Sequence, residues 1–172
     1  MLRLIILLAF FSILTGCATA RYSPERAAAA KASFDRVTKE FHLPSAEATG
    51  TRKTELLTQA ARGYEDLLHQ FSDQHNWCAQ ALRSLGNVRV EQGKLDEAVR
   101  LYTRVGEKYP RNEWEVLQAW KSAGDLLWQA KRPAEAKKFY AQIVKRFDAP
   151  EMPPIVKIVV NTSKKRLAEQ AE

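Results

Sequence analysis

Two cysteines and three histidines are the side chains of this 172-residue chain best suited to chemistry. Their neighbours decide what each can do. His42, His69 and His75 stand at unrelated helical phases, so they do not converge on one metal or proton-transfer site. There is no glycine-rich phosphate loop, no Gly-x-Ser-x-Gly and no paired cysteine ligands. The chain is therefore read as non-enzymatic, with no catalytic residue, no metal and no cofactor. That leaves Cys17, which follows small residues near the start, and Cys78.

Cys17 is explained by what precedes it. Met1, Leu2 and Arg3 lead into an apolar run from Leu4 to Leu14 that only Ser12 interrupts, followed by Gly16, Cys17 and Ala18. This is the layout of a cleaved signal peptide. A run of about 11 residues rises only about 16 Å as a helix, half of what a bilayer core needs, so it does not span a membrane. Leu14-Thr15-Gly16-Cys17 resembles the lipobox of bacterial lipoproteins. The resemblance implies a diacylglycerol on the Cys17 thiol, cleavage just before it and an N-acyl chain on the new amine. Two or three acyl chains exceed what reversible membrane binding allows. Ala18 stands where an Asp would favour inner-membrane retention, so the resemblance implies an outer-membrane, periplasm-facing, lipid-anchored protein. Cys78 is then the only thiol left, and no internal disulfide can form.

The net charge is +7, of which the signal removes only Arg3. Outside the cytoplasm this points to anionic headgroups or an acidic protein and away from nucleic acid. Residues 17–23 form a lipidated tether, 24–150 a helical repeat domain and 151–172 a C-terminal capping helix.

Self-similarity organises those domains. Leu82, Leu85, Gly86, Ala98, Tyr102, Val105 and Tyr109 match Trp120, Ala123, Gly124, Ala136, Tyr140, Ile143 and Phe147, 38 residues on. Ala60, Tyr64, Leu67 and Phe71 match again, 38 residues before the second half of that unit. Within each unit the apolar spacing is helical, Gly93 ends one helix and Pro110 closes the next, so each unit is a helical hairpin. Ser23 and Pro24 start an earlier helix with apolar Ala30, Phe34, Val37 and Phe41, which Leu43-Pro44 is expected to end. At the other end Ile155, Ile158 and Thr162 continue the 38-residue frame into a cap with one polar face. Cys78 falls in the frame of Val116 and reads as a small buried hydrophobe.

Leu82, Leu85, Gly86, Ala98, Tyr102 and Pro110 stand at the spacing of the tetratricopeptide repeat, and Trp120, Ala123, Gly124, Ala136 and Tyr140 follow. The chain resembles that family over residues 50–170. It departs in a period four residues longer, placed in a turn near Arg111 to Glu115, and in Asp148 for Pro110 and Arg89 for an aromatic. The resemblance implies an all-α, right-handed superhelix of antiparallel hairpins, about seven helices, whose concave face binds a peptide segment of a partner. Its groove positions fall on Gln80, Arg83, Asn87 and Glu91, then on Gln118, Lys121, Asp125 and Trp128. Trp128 reads either as an anchor in that groove or as a core aromatic. A lipid-anchored repeat protein resembles envelope lipoproteins that hold other proteins at the membrane, in barrel assembly, pili or cell-wall hydrolysis, which implies a non-enzymatic adaptor. The alternative, a cell-wall enzyme or small-ligand carrier, needs a deep pocket of convergent ionisable groups.

Overall fold

Seven helices follow one another in antiparallel order in the computed structural model, which describes residues 23–169. The signal, Cys17 and the tether up to Tyr22 lie outside the described residues, as do 170–172 of the cap. Helix α1 runs Pro24–Val37, α2 Gly50–Gln70, α3 His75–Glu91, α4 Leu95–Lys108, α5 Glu113–Gln129, α6 Pro133–Phe147 and α7 Pro154–Ala168. Each packs on the next, and α1 with α3 and α3 with α5 also touch. Helices α1, α3 and α5 thus form an inner layer and α2, α4 and α6 an outer one, and α7 follows α6 in the place of a next inner helix. Among the described residues no strand occurs, and no helix is long and apolar enough to cross a membrane.

The repeat positions do the packing that their sizes dictate. A Cβ on Gly86 would lie 2.5 Å from the Tyr102 ring, and one on Gly124 would lie 2.8 Å from that of Tyr140. Only glycine lets the outer-helix tyrosine lie flat on the inner helix. Ala98 and Ala136 are fully buried at the facing positions. The turn from inner to outer helix also repeats: the N–H of Lys94 reaches the Arg89 carbonyl and that of Arg132 the Leu127 carbonyl, a Schellman closure. It needs a left-handed residue, supplied by Gly93 at φ 73° and, 38 residues on, by Lys131 at φ 58°.

Three expectations change. Leu43-Pro44 does not end the first helix. From Val37 the chain widens into a π-helical turn, Thr38–His42, then adds one α-helical turn, Leu43–Ser45. Pro44 stands in the first turn of that last piece, where a missing N–H costs nothing. Nor do the four extra residues of the period lengthen a turn. Only 109–112 separate α4 from α5, so the addition is a further helical turn at the start of α3 and α5.

The third change concerns α7. Its buried or half-buried side is Val156, Val159, Val160, Ser163 and Leu167, while Ile155, Ile158 and Thr162 are exposed. Val116, Ala119, Trp120, Ala123 and Leu127 correspond to the packed set at a step of 40, not 38. The connection 148–153 is two residues longer than 109–112, and a helix entered two residues later turns a different side to the core.

Candidate protein-interaction face

The inner helices position one candidate face. On α5, Trp114, Gln118, Lys121, Asp125 and Trp128 fall at i, i+4, i+7, i+11 and i+14, one stripe along the helix. On α3 Asn76, Gln80, Arg83 and Asn87 fall at the same spacing, Glu91 follows at i+15, and Val90 takes the place that corresponds to Trp128. The structure thus brings all eight groove positions onto the inner layer.

Most of them already have partners within the chain. Arg83 Nε donates to Glu115 Oε2 at 2.5 Å, tying α3 to the first turn of α5, and Glu115 is itself buried. Lys121 pairs with Asp125 at 2.5 Å. Glu91 receives His42 Nε2 at 3.2 Å and the Ser45 hydroxyl at 3.4 Å, with Lys53 at 4.0 Å, and so fastens the end of the first hairpin to α3. Asn87 Oδ1 accepts the Tyr102 hydroxyl at 2.7 Å, and Asp125 Oδ1 accepts that of Tyr140 at 2.8 Å. In the first hairpin the Tyr64 hydroxyl meets Thr38 Oγ1 at 2.9 Å and His42 Nδ1 at 3.0 Å. Each repeat thus satisfies its buried tyrosine hydroxyl with a polar group of the inner helix, as burial requires. The two N–H donors of the Asn87 side-chain amide make no hydrogen bond among the described residues.

Burial disfavours the phenolate at every one of these tyrosines. It pushes Tyr102 up to about 12 and lifts Tyr64 and Tyr140 as well. At Tyr140 the hydrogen bond to Asp125 adds to the effect. Cys78 is fully buried, gives its S–H to the Phe71 carbonyl at 3.1 Å, and has its thiol pushed up by that burial.

Trp128 is half-buried. Its ring lies 6.2 Å from that of Tyr140, and the Arg166 guanidinium of α7 sits 4.7 Å above it. Gln80, by contrast, lines an open cleft of about 440 Å³ between the first turns of α3 and α5, with Trp77, Asn112 and Trp114. Trp114 also borders a second, more apolar cleft of about 310 Å³, together with Leu117, Phe147, Met152 and Val156, where α7 stands off from α5. It is 48 % exposed on the ridge between the two. Sequence reasoning missed this residue, although it lies one turn before Gln118 on the same stripe and its phase gives its position away.

The exposed large hydrophobic side chains are sorted by layer. Among the described residues they are Leu43, Val90, Trp114, Ile155 and Ile158. Leu43 lies at the end of the first helix, Val90 on α3, Trp114 on α5 and the two isoleucines on α7; α2, α4 and α6 carry none. With α7 in its observed register, Ile158 occupies the position of Gln118, one of the eight expected on the face. No group of three or more His, Cys, Asp or Glu able to hold a metal occurs among the described residues.

Such a face on stacked hairpins defines a helical-repeat interaction scaffold. Residues 83–151 match the tetratricopeptide repeat family, whose modules bind protein or peptide partners. No curated protein matches the chain.

Proposed function

We propose that this protein is an outer-membrane-anchored, periplasm-facing lipoprotein whose inner helical layer holds a segment of another envelope protein, an adaptor in envelope biogenesis. The observation that carries the binding half is the sorting of exposed apolar side chains onto the inner helices. Leaving them in water forgoes burial worth about 1.5–3 kcal/mol each, and their confinement to one layer is what a binding face requires. Trp114 is the strongest anchor, since a Trp over a cleft buries the most area with few rotatable bonds. The charges of the stripe on α3 and α5, Arg83, Glu91, Lys121 and Asp125, are paired within the chain, so the partner is held by apolar contact and by main-chain groups meeting Asn87 and Gln80.

The anchoring half rests on Leu14-Thr15-Gly16-Cys17 and on the start of α1. Ser23 accepts the N–H of Arg26 and begins the helix only six residues after Cys17. A linker of six residues spans at most about 20 Å, which keeps the domain close to the bilayer.

Both halves are tested in cells. Wild type should incorporate labelled fatty acid and fractionate with the outer membrane, and Cys17→Ser should do neither; equal labelling of the two overturns the lipoprotein reading. A photo-crosslinking residue at position 114 should capture one envelope protein, and one on α6 at position 142 should not. Crosslinking that is equal from both positions overturns the inner-face assignment.

A further inference from the structure

The outer layer carries a second surface of different character. Inner helices α1, α3 and α5 touch in succession, but between outer helices α2 and α4 a cleft of about 610 Å³ stays open, with α3 as its floor. Leu82 and Leu85 of α3 form that floor, and Leu68 of α2 and Leu101 of α4 line its two sides, so the bottom of the cleft is apolar. One end is closed by Arg89, which bridges Glu65 of α2 at 2.7 Å and Glu97 of α4 at 3.2 Å. Along the α4 rim stand Arg100, Arg104 and Lys108, all exposed. Among the described residues no carboxylate pairs with any of the three, whereas the cations of the inner stripe, Arg83 and Lys121, are both paired.

We propose that this outer cleft docks an acidic amphipathic helix of a partner protein. The three cations recur every fourth residue and so stand about 6 Å apart along α4, the same rise that separates carboxylates at i and i+4 on a second helix. The face of that helix between its acidic edge and its far side carries apolar residues at i+3 and i+7, which reach the leucine floor. Charge complementarity thus fixes the sign of the partner, and the recessed floor fixes its shape. A flat anionic membrane could touch the cations but would not enter a cleft whose closed end bears Glu65 and Glu97. The proposal does not rest on the inner-face reading, and either surface can fail without the other.

The test uses the full chain and a fluorescent helical peptide of about 18 residues, long enough to hold a helix, with a leucine stripe bordered by glutamates. A peptide with lysines for those glutamates and phosphatidylglycerol vesicles serve as comparisons. The acidic peptide should bind, and Arg100→Glu with Arg104→Glu should weaken it by about tenfold or more, while Trp114→Ala leaves it unchanged. Lys108→Glu alone should weaken it in the same direction, and serves if the double variant melts early. Equal binding of the lysine peptide overturns the proposal. So does binding that the rim substitutions spare, or a dependence on these residues that appears with vesicles and not with the acidic peptide.

Discussion

Lys131 occupies a backbone conformation that its own side chain disfavours. The turn it closes needs a left-handed residue, and Gly93 shows what the same turn takes at no steric cost. Lys131→Gly should therefore raise stability by about 1 kcal/mol, as a shift in urea midpoint with unchanged slope. The buried tyrosines make a different prediction. Burial displaces the protonation equilibria of Tyr64, Tyr102 and Tyr140 upward from the ordinary value near 10, Tyr102 being pushed up to about 12, so the fold favours the neutral phenol. That contribution is complete below about pH 10 and is lost as pH climbs through the folded values. The urea midpoint should be insensitive to these groups up to about pH 10 and fall between there and about pH 12. Phenolate absorbance at 295 nm should rise together with the loss of helix; a full rise while the helix signal is intact would contradict the packing. Arg83→Glu, attractive as a probe of binding, would set a second carboxylate against buried Glu115, so its loss of partner would report instability.

At the scale of the helix, α7 separates the two ways of reading the repeat. If the 38-residue frame ran to the end, Ile158 would be core. In the structure it is 61 % exposed and Val160 is fully buried. Ile158→Lys should change stability by less than about 0.5 kcal/mol, and Val160→Asp should cost about 3 kcal/mol or more by burying an unpaired charge. Melting curves of the two variants decide between the registers. This contrast also marks what the sequence could disclose. Size classes at Gly86, Ala98 and Tyr102 recur because helix contacts force them, so the hairpins and their order could be read directly. What could not be read was how many residues a connection spends before the next helix starts. A change of two between 109–112 and 148–153 leaves composition and periodicity untouched, yet it turns two isoleucines from the expected core to solvent and sets one of them, Ile158, at a position of the candidate face. The extra turns of α3 and α5, and the π turn after Val37, were obscure for the same reason. Helix and turn have similar local composition there, and tertiary packing chose between them.

The molecule presents two surfaces with opposite physics, an inner stripe on α3 and α5 whose charges are paired and an outer rim of Arg100, Arg104 and Lys108 that no carboxylate pairs among the described residues. A partner held on the inner face should therefore bind with little dependence on salt, and an acidic helix in the outer cleft should lose affinity steeply between low and moderate salt, where the screening length shrinks to about 10 Å. Affinities measured for each surface at the two salt levels would show it, and parallel curves would count against the division. The interior divides as well. One apolar cluster joins Val37 on α1 to Ala123 on α5, and a second joins Leu117 and Leu127 on α5 to Val160 on α7, with Trp120 packed against both. Neighbour-only packing of this kind lets one end open while the other holds. Cys78 belongs to the first cluster alone. A thiol reagent added in mild denaturant should thus stay silent while the C-terminal hairpin frays and react only when the N-terminal half opens. A single buried sulfur thereby becomes a clock for the order in which the halves come apart.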